Sequence, residues 1–436
     1  MQRIMVGLVA LVVFAVGVAT PARAGHDADV HSDNMSLVAT FDDGGEYAGG
    51  TDLAFWGTRA VAGNFDPGGF RLLDIRNPRK PVEVGQFACN GSQSDVSIWR
   101  DLVFVSVDGA RTGPGCDSEA AAAADSITGI GWEGIRVVSI ANPKKPTQIA
   151  TVRTDCGSHT HTLVPDLARR RLLLYVLSYP LGAPTPTCSP VSHRKISVVE
   201  VPLADPASAR VTSTPSVGLP IGCHDVTVFL PKMIAAAACI TETQLWDITD
   251  PADPVITTRV VNPLINIHHS TVFSWDGNTF VIGDELGGAA VAPGCVSGEA
   301  PLGSLWFYEV SDPTMPLGSY SIERDASPID VCTAHEFNVV PLRSERDVLV
   351  SSWYTGGTIV LDFTDPANPQ ELGHYVPQEG EAAVHWSSYW YNGLIYANGF
   401  DRGIDVLRIR HPSLTPKQVI PLGHLNPTTQ ERLPKR

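Results

Sequence analysis

One recurring phrase limits the fold of this chain more than any other feature. It is an apolar strand followed by Asp-Pro or Asn-Pro, often with a second proline three residues on. The copies read LLDIRNPRKP, VVSIANPKKP, VVEVPLADPA, LWDITDPADP, FYEVSDPTMP, VLDFTDPANP and VLRIRHPSLTP, the last with His-Pro. Their first shared prolines are Pro78, Pro143, Pro206, Pro251, Pro313, Pro366 and Pro412, so seven copies stand 45 to 65 residues apart in a chain of 436. Self-similarity at such a period belongs to repeat architectures. In six of the copies Asp or Asn can accept local backbone hydrogen bonds, and in all seven Pro presets φ and cannot continue a ladder. A short strand follows the phrase (VEVGQF, TQIATV, VITTRV) and two more precede it, as in DVSIWRD and LVFVSVD. Four strands per repeat without helical periodicity is the pattern of a propeller blade. The chain is therefore expected to be all-β, a seven-bladed β-propeller with four-stranded antiparallel blades. A generic β-sandwich assembly gives no reason for seven aligned copies.

The first residues read as an export signal over 1–24. Arg3 precedes an apolar run from Ile4 to Ala19, and Ala22 and Ala24 flank Arg23 in the small-residue pattern of a cleavage site. The run is shorter than the roughly 20 residues of a bilayer span. Residues 25–35 read as a flexible segment, 36–424 as the propeller and 425–436 as a tail. SLVATF (Ser36 to Phe41) matches the outer strand of other blades and is expected to complete blade 7. PKQVIPLGHL, after the last repeat, is the alternative source of that strand. Without the two arginines of the signal, 29 basic residues face 46 acidic ones, a net charge of −17. Such a surface repels nucleic acid and anionic membrane. The expected state is a secreted or extracytoplasmic monomer with no membrane span after cleavage.

The V-x-D-I-x-D/N-P-x-x-P phrase resembles the LVIVD repeat family of β-propellers, and the resemblance covers nearly all of the mature chain. It implies the architecture and is almost silent on activity.

Aligning the starts of the innermost strands brings Thr51, Ser94, His159, His224, His268, His335 and His385 to one position. Five consecutive blades carry histidine there. Equivalent positions of a propeller are related by rotation about its axis, so inward-facing rings would converge on one mouth of the channel. Neutral imidazole is the commonest protein ligand for Zn, Cu, Fe and Ni. The expected cofactor is thus a transition-metal ion (Fe, Cu or Zn) on His159, His224, His268, His335 and His385. Asp52, Asp95, Asp225 and Glu336 directly follow that position and are candidates to orient the rings. His161 and His269 are further candidates, though strand alternation turns alternate residues away. An unmetallated channel, with imidazoles bonded to water and to each other, or mere packing, accounts for the same pattern.

The eight cysteines contain no C-x-x-C pair, and in an exported chain they read as disulfides. Inner-strand entrances and second-strand exits share a face, which pairs Cys89 with Cys116, Cys156 with Cys188, Cys223 with Cys239 and Cys295 with Cys332. The exits also bring Asp108, Tyr179, Glu242, Asp284, Glu285, Tyr354, Asp401 and Arg402 to that face, and Glu285 and Asp401 join the pocket candidates. Trp56, Trp99, Trp386 and Trp390 on inner strands read as blade packing. No G-x-S-x-G, Walker A or H-E-x-x-H motif is present. The expected function is binding or scaffolding, with a small molecule or protein at the channel mouth. The alternative is a metal-dependent oxidoreductase or oxygenase on the same ring. The chain is similar at fold level to carotenoid-cleaving oxygenases, propellers that hold iron through four histidines, and to selenium-binding protein, a propeller with DISDP-like phrases. Both likenesses are to the fold.

Overall fold

Four of the six Asp-Pro or Asn-Pro phrases close the same turn. Asn77, Asn142, Asp250 and Asp365 each accept at Oδ1, at 3.2 Å, from the N–H two residues on. Their carbonyls accept from Lys80, Lys145, Asp253 and Asn368 at 2.9–3.0 Å. Side chain and carbonyl together satisfy the donors that the proline-broken strand leaves free. The phrase therefore sets the hairpin between the third and fourth strands of a blade.

The computed structural model describes residues 29–41, 48–121, 131–179, 193–285, 303–322, 333–377, 384–400 and 402–434. Its sheets form seven antiparallel blades over residues 48–88, 96–153, 160–213, 225–260, 268–320, 337–376 and 385–409. The innermost strands are Ala48–Trp56, Val96–Trp99, Thr160–Asp166, Asp225–Phe229, His268–Phe273, Phe337–Val339 and His385–Tyr391. Met35–Phe41 pairs antiparallel with Gly403–Ile409 and is the outer strand of blade 7, so the N-terminal side closes the ring. Val30–His31 adds a fifth strand to blade 6, within the segment expected to be flexible.

Strand alternation sends successive side chains to opposite neighbours. Leu53 and Phe55 pack against blade 7, while Ala54 between them packs against blade 2. Among the described residues, seven clusters fill the gaps between adjacent blades, and a smaller eighth forms around Tyr354 and Trp386. The outer strands meet the next blade's proline turn closely. A Cβ on Gly85 would stand 1.7 Å from the Pro143 carbonyl oxygen, and one on Gly318 would stand 2.1 Å from that of Pro366. Only glycine lets those backbones meet.

The tail is part of the propeller. His424–Leu425 pairs with the end of blade 1's inner strand, and Thr429–Gln430 pairs in parallel with the end of blade 4's. Between these contacts the segment crosses the channel at the end where the inner strands finish. The disulfides Cys89–Cys116 and Cys223–Cys239 form as expected. Cys156 is also in a disulfide. Its expected partner Cys188 lies outside the described residues, as do Cys295 and Cys332. Among the described residues no helix is long and apolar enough to cross a membrane.

Candidate metal centre

Four imidazoles from consecutive blades gather where the inner strands begin: His159, His224, His269 and His335. Neighbouring ring centroids lie 4.6, 3.8 and 4.5 Å apart in that order. In blades 3, 4 and 6 the ladder starts regularly. His159, His224 and His335 donate their N–H groups to the carbonyls of Leu177, Ala238 and Ser352, at the ends of their own second strands.

Blades 5 and 7 differ, and the expectation for two histidines is corrected there. A register shift separates His268 from Ser270, and another separates His385 from Ser387. The N–H groups of His268 and His385 go instead to Ile240 and Tyr354 of the preceding blade. The rings follow. His268 Nδ1 lies 2.8 Å from Thr243 Oγ1. His385 sits 2.8 Å from Thr358 Oγ1 and 3.3 Å from Asp405 Oδ2. A bulge adds one residue and re-aims the side chains around it. The residues that reach the cluster are therefore His269 and Trp386. Trp386 is site wall, 4.5 Å from the His335 ring, and is not only blade packing.

The hydrogen bonds fix which nitrogens carry lone pairs. His335 Nδ1 lies 2.6 Å from the Trp386 carbonyl oxygen. A carbonyl only accepts, so Nδ1 carries the proton and Nε2 the lone pair. His159 Nδ1 donates to Asp108 Oδ2 at 2.8 Å, which leaves its Nε2 as an acceptor 3.0 Å from His224 Nε2. His224 then donates through Nε2 and keeps a lone pair on Nδ1. That atom is buried without a hydrogen-bond partner, as is His269 Nδ1. The His269 ring stands 3.6 Å from Glu285 through Nε2 and 3.6 Å from Glu336 through Nδ1. Glu285 is held by the Tyr354 hydroxyl, which donates to Oε1 at 2.5 Å. His269, Glu285 and His335 each offer a donor atom, all within 4.8 Å of one another.

Burial, and secondarily the neighbouring imidazoles, push His224 and His269 well below the usual histidine range. Burial takes His335 down to about 3. These rings are neutral at pH 7, the form in which imidazole binds a metal. Burial first, and then Glu285, holds the Tyr354 hydroxyl protonated.

The other candidates have separate places. Both ring nitrogens of His161 are engaged, with Ser97 at 2.7 Å, Ser106 at 2.8 Å and Asp95 at 3.0 Å, between blades 2 and 3. Asp52, Asp95 and Asp225 converge one layer deeper in the channel, away from the clustered rings, while Glu336, which lines the same cavity, also faces His269 Nδ1 across 3.6 Å. The orienting acceptors are Asp108 and the Trp386 carbonyl. Asp108, Tyr179, Glu285 and Tyr354 reach the cluster from second-strand exits, with the Tyr179 ring 4.8 Å from that of His159. Glu242 instead pairs with Arg259. Asp284 accepts from the N–H groups of Asn266, Ile267 and Gly303. Asp401 lies outside the described residues.

No family model matches the chain, and no curated protein matches it in sequence. Among solved structures it is similar to the WD40 β-propeller domain of Doa1, with TM-score 0.53 and 10% identity over 88% of this chain and 99% of that one. It is also similar to a chain of the mitotic checkpoint complex, with TM-score 0.50 and 9% identity over 92% of this chain and 100% of that one. At such identities the likeness is one of fold. The chain is a seven-bladed β-propeller, a fold that gathers residues from all its blades around one axis.

Proposed function

We propose that this propeller is an extracytoplasmic binding protein that holds one transition-metal ion at the channel mouth. His269, Glu285 and His335 are the first ligands, and His224 and His159 stand beside them to complete the set. The observation that carries this reading is the grouping of those three donors within 4.8 Å. The donor chemistry fits, since imidazole with carboxylate suits Zn, Cu and Fe. The orphaned buried Nδ1 of His224 fits as well. A buried polar atom without a partner is costly unless it serves something. The export-type leader and the disulfides support an oxidising compartment, and on the same footing the repeat phrase is assigned to the LVIVD type.

A metal-dependent oxidoreductase or oxygenase is the second reading. One observation favours it: three close donors leave coordination positions for water or substrate. The test is elemental analysis of untagged protein, followed by titration of the metal-free protein with Zn2+ and Co2+. About one ion per chain is expected, with His269→Ala and His335→Ala each losing it while remaining folded by circular dichroism. Absence of stoichiometric metal, together with no saturable Zn2+ or Co2+ binding, would sink both readings.

A further inference from the structure

After the last repeat the chain does not run straight to blade 1. It leaves the strand Gly403–Ile409, makes one short turn at Pro412–Leu414 and doubles back under blade 7 to blade 6. There Val419 bridges Leu342, the Arg343 N–H donates to the Gln418 carbonyl at 2.7 Å, and the Ile420 N–H donates to that of Pro341 at 2.8 Å. On the return Asn392 holds Leu422 from both sides. It accepts the Leu422 N–H at 2.8 Å and donates to the Leu422 carbonyl at 2.9 Å. Only then does the chain reach blade 1 at His424–Leu425. The loop, pinned on both legs, encloses a cavity of about 710 Å³ beneath blade 7, on the face opposite the imidazoles.

This cavity is apolar inside and basic at its rim. Leu394, Ile409, Leu414 and Val419 line it, and all four are buried. Its charged lining is Arg408, half-buried, and Arg410, exposed. The Arg410 N–H bonds the Asn34 carbonyl at 2.8 Å, so the extended backbone runs on through it, and alternation sends both guanidinium groups to one side. His411 is spent on the loop itself, its Nδ1 accepting from the Ser413 N–H at 3.3 Å. Among the described residues no Asp, Glu, Phe, Tyr or Trp lines the cavity. Nearby arginines are paired: Arg402 with Asp405 at 2.9 Å, and Arg346 with Asp362. Arg408 and Arg410 have no ion pair or side-chain hydrogen bond among the described residues, in a chain with 46 acids to 31 bases.

Packed cores rarely leave voids larger than a water. A hollow of this size, apolar with a few convergent polar groups, has the form of a small-molecule site. Paired guanidinium groups select an anion and match the two oxygens of a carboxylate. Without an aromatic wall a flat ring has nothing to stack on, so an aliphatic body fits better. We propose that this cavity binds a free alkyl carboxylate, an amphiphile of the fatty-acid kind. Its chain lies on Leu394, Ile409, Leu414 and Val419, and its carboxylate meets Arg408 and Arg410 at the rim. The site is independent of the metal reading.

The test titrates the full chain by calorimetry with sodium dodecanoate below its micelle concentration. One saturable site per chain is expected. Dodecyltrimethylammonium, with the same tail and a cationic head, should not bind. Arg408→Ala with Arg410→Ala should weaken dodecanoate binding about tenfold or more. That variant should keep the parent's Tm, since neither guanidinium has a partner to lose. If it fails to fold, the comparison of the two head groups on the parent decides alone. His269→Ala should bind dodecanoate as the parent does, whereas loss there would place the ligand at the imidazoles and overturn the proposal. No saturable dodecanoate binding, equal binding of the cationic amphiphile, or unchanged affinity in the folded arginine variant would overturn it as well. So would co-sedimentation with phosphatidylglycerol vesicles without uptake of monomeric dodecanoate, which would make this face a membrane contact.

Discussion

The two ends of the central channel are closed by opposite means. Where the inner strands finish, the tail is fully paired. Asn426 bonds both faces of the Ile98 backbone at 2.8 and 3.0 Å, and Gln430 does the same to Phe273 at 2.8 Å twice. Thr429 donates to the Leu163 carbonyl at 2.6 Å. Together with the strand pairing to blades 1 and 4, the segment reaches five blades. Where the inner strands begin, the polar groups are as deeply buried but incompletely paired. His224 Nδ1 and His269 Nδ1 have no hydrogen-bond partner. Buried polar atoms in proteins are nearly always paired. One end of the channel therefore reads as structure and the other as a site, and pairing distinguishes them where burial does not.

The comparison breaks most visibly at the paired end. Asn426→Ala with Gln430→Ala removes four hydrogen bonds and leaves the backbone groups of Ile98 and Phe273 buried without partners. Each orphaned group costs about 1–3 kcal/mol, so a loss of roughly 4 kcal/mol or more is expected. Urea unfolding would show it as a lowered midpoint with an unchanged m-value. A midpoint within error of the parent would mean that the tail is an ornament on a ring that closes without it.

The tail was not legible in the sequence, and the reason is physical. Its two strands are two residues each, with no periodicity to detect, and their partners are strand ends that come together only once the ring exists. The blades were legible because each carries its own turn chemistry: Asn77, Asn142, Asp250 and Asp365 make local bonds that need no tertiary context. The site falls between these cases. His159, His224 and His335 begin regular ladders, where counting along the strand gives the direction of the side chain. His268 and His385 sit at bulges, where counting fails by one residue. The doubled histidine of NIHHSTVF left two choices for blade 5 that no single-sequence argument separates. Asp108, Glu285 and Tyr354 were marked by their place at second-strand exits, but only the folded ring shows which of those exits converge.

A smaller effect sharpens the contrast through pH. Burial first, then Asp95, raises Asp52 to about 8, and the same two causes raise Asp225 to about 7. The folded state thus keeps protons that the unfolded chain has released. The stability these groups contribute is fully present below their unfolded range and is lost as pH rises through those folded values. The buried histidines act in the opposite sense, because burial takes His268 and His335 down to about 3. Their contribution is present above about pH 6.5, the unfolded value, and is lost as pH falls. Between about pH 6.5 and pH 8 the raised carboxylates dominate, and burial lifts Glu336 and Asp347 as well, so the chelator-treated protein should lose about 2 kcal/mol or more across that window. Asp52→Asn should flatten the fall. A flat profile in the parent would show that the ring carries no protons to lose.

The smallest expected effect separates two adjacent residues. His268 is fully buried and bonded to Thr243 in the gap between blades 4 and 5, whereas His269 stands among the imidazoles. His268→Ala therefore removes one neutral hydrogen bond and some packing, and should cost about 1–2 kcal/mol in urea unfolding. It should leave Zn2+ affinity unchanged. His269→Ala should do the reverse, abolishing the Zn2+ response with little loss of metal-free stability, because its Nδ1 has no hydrogen bond to lose and its Nε2 stands 3.6 Å from the nearest carboxylate. The bulge at residues 268–270 is what assigns the two rings to different work. If His268→Ala lost the metal and His269→Ala kept it, blade 5 would follow the regular register of its neighbours, and the bulge would not be the feature that completes the cluster.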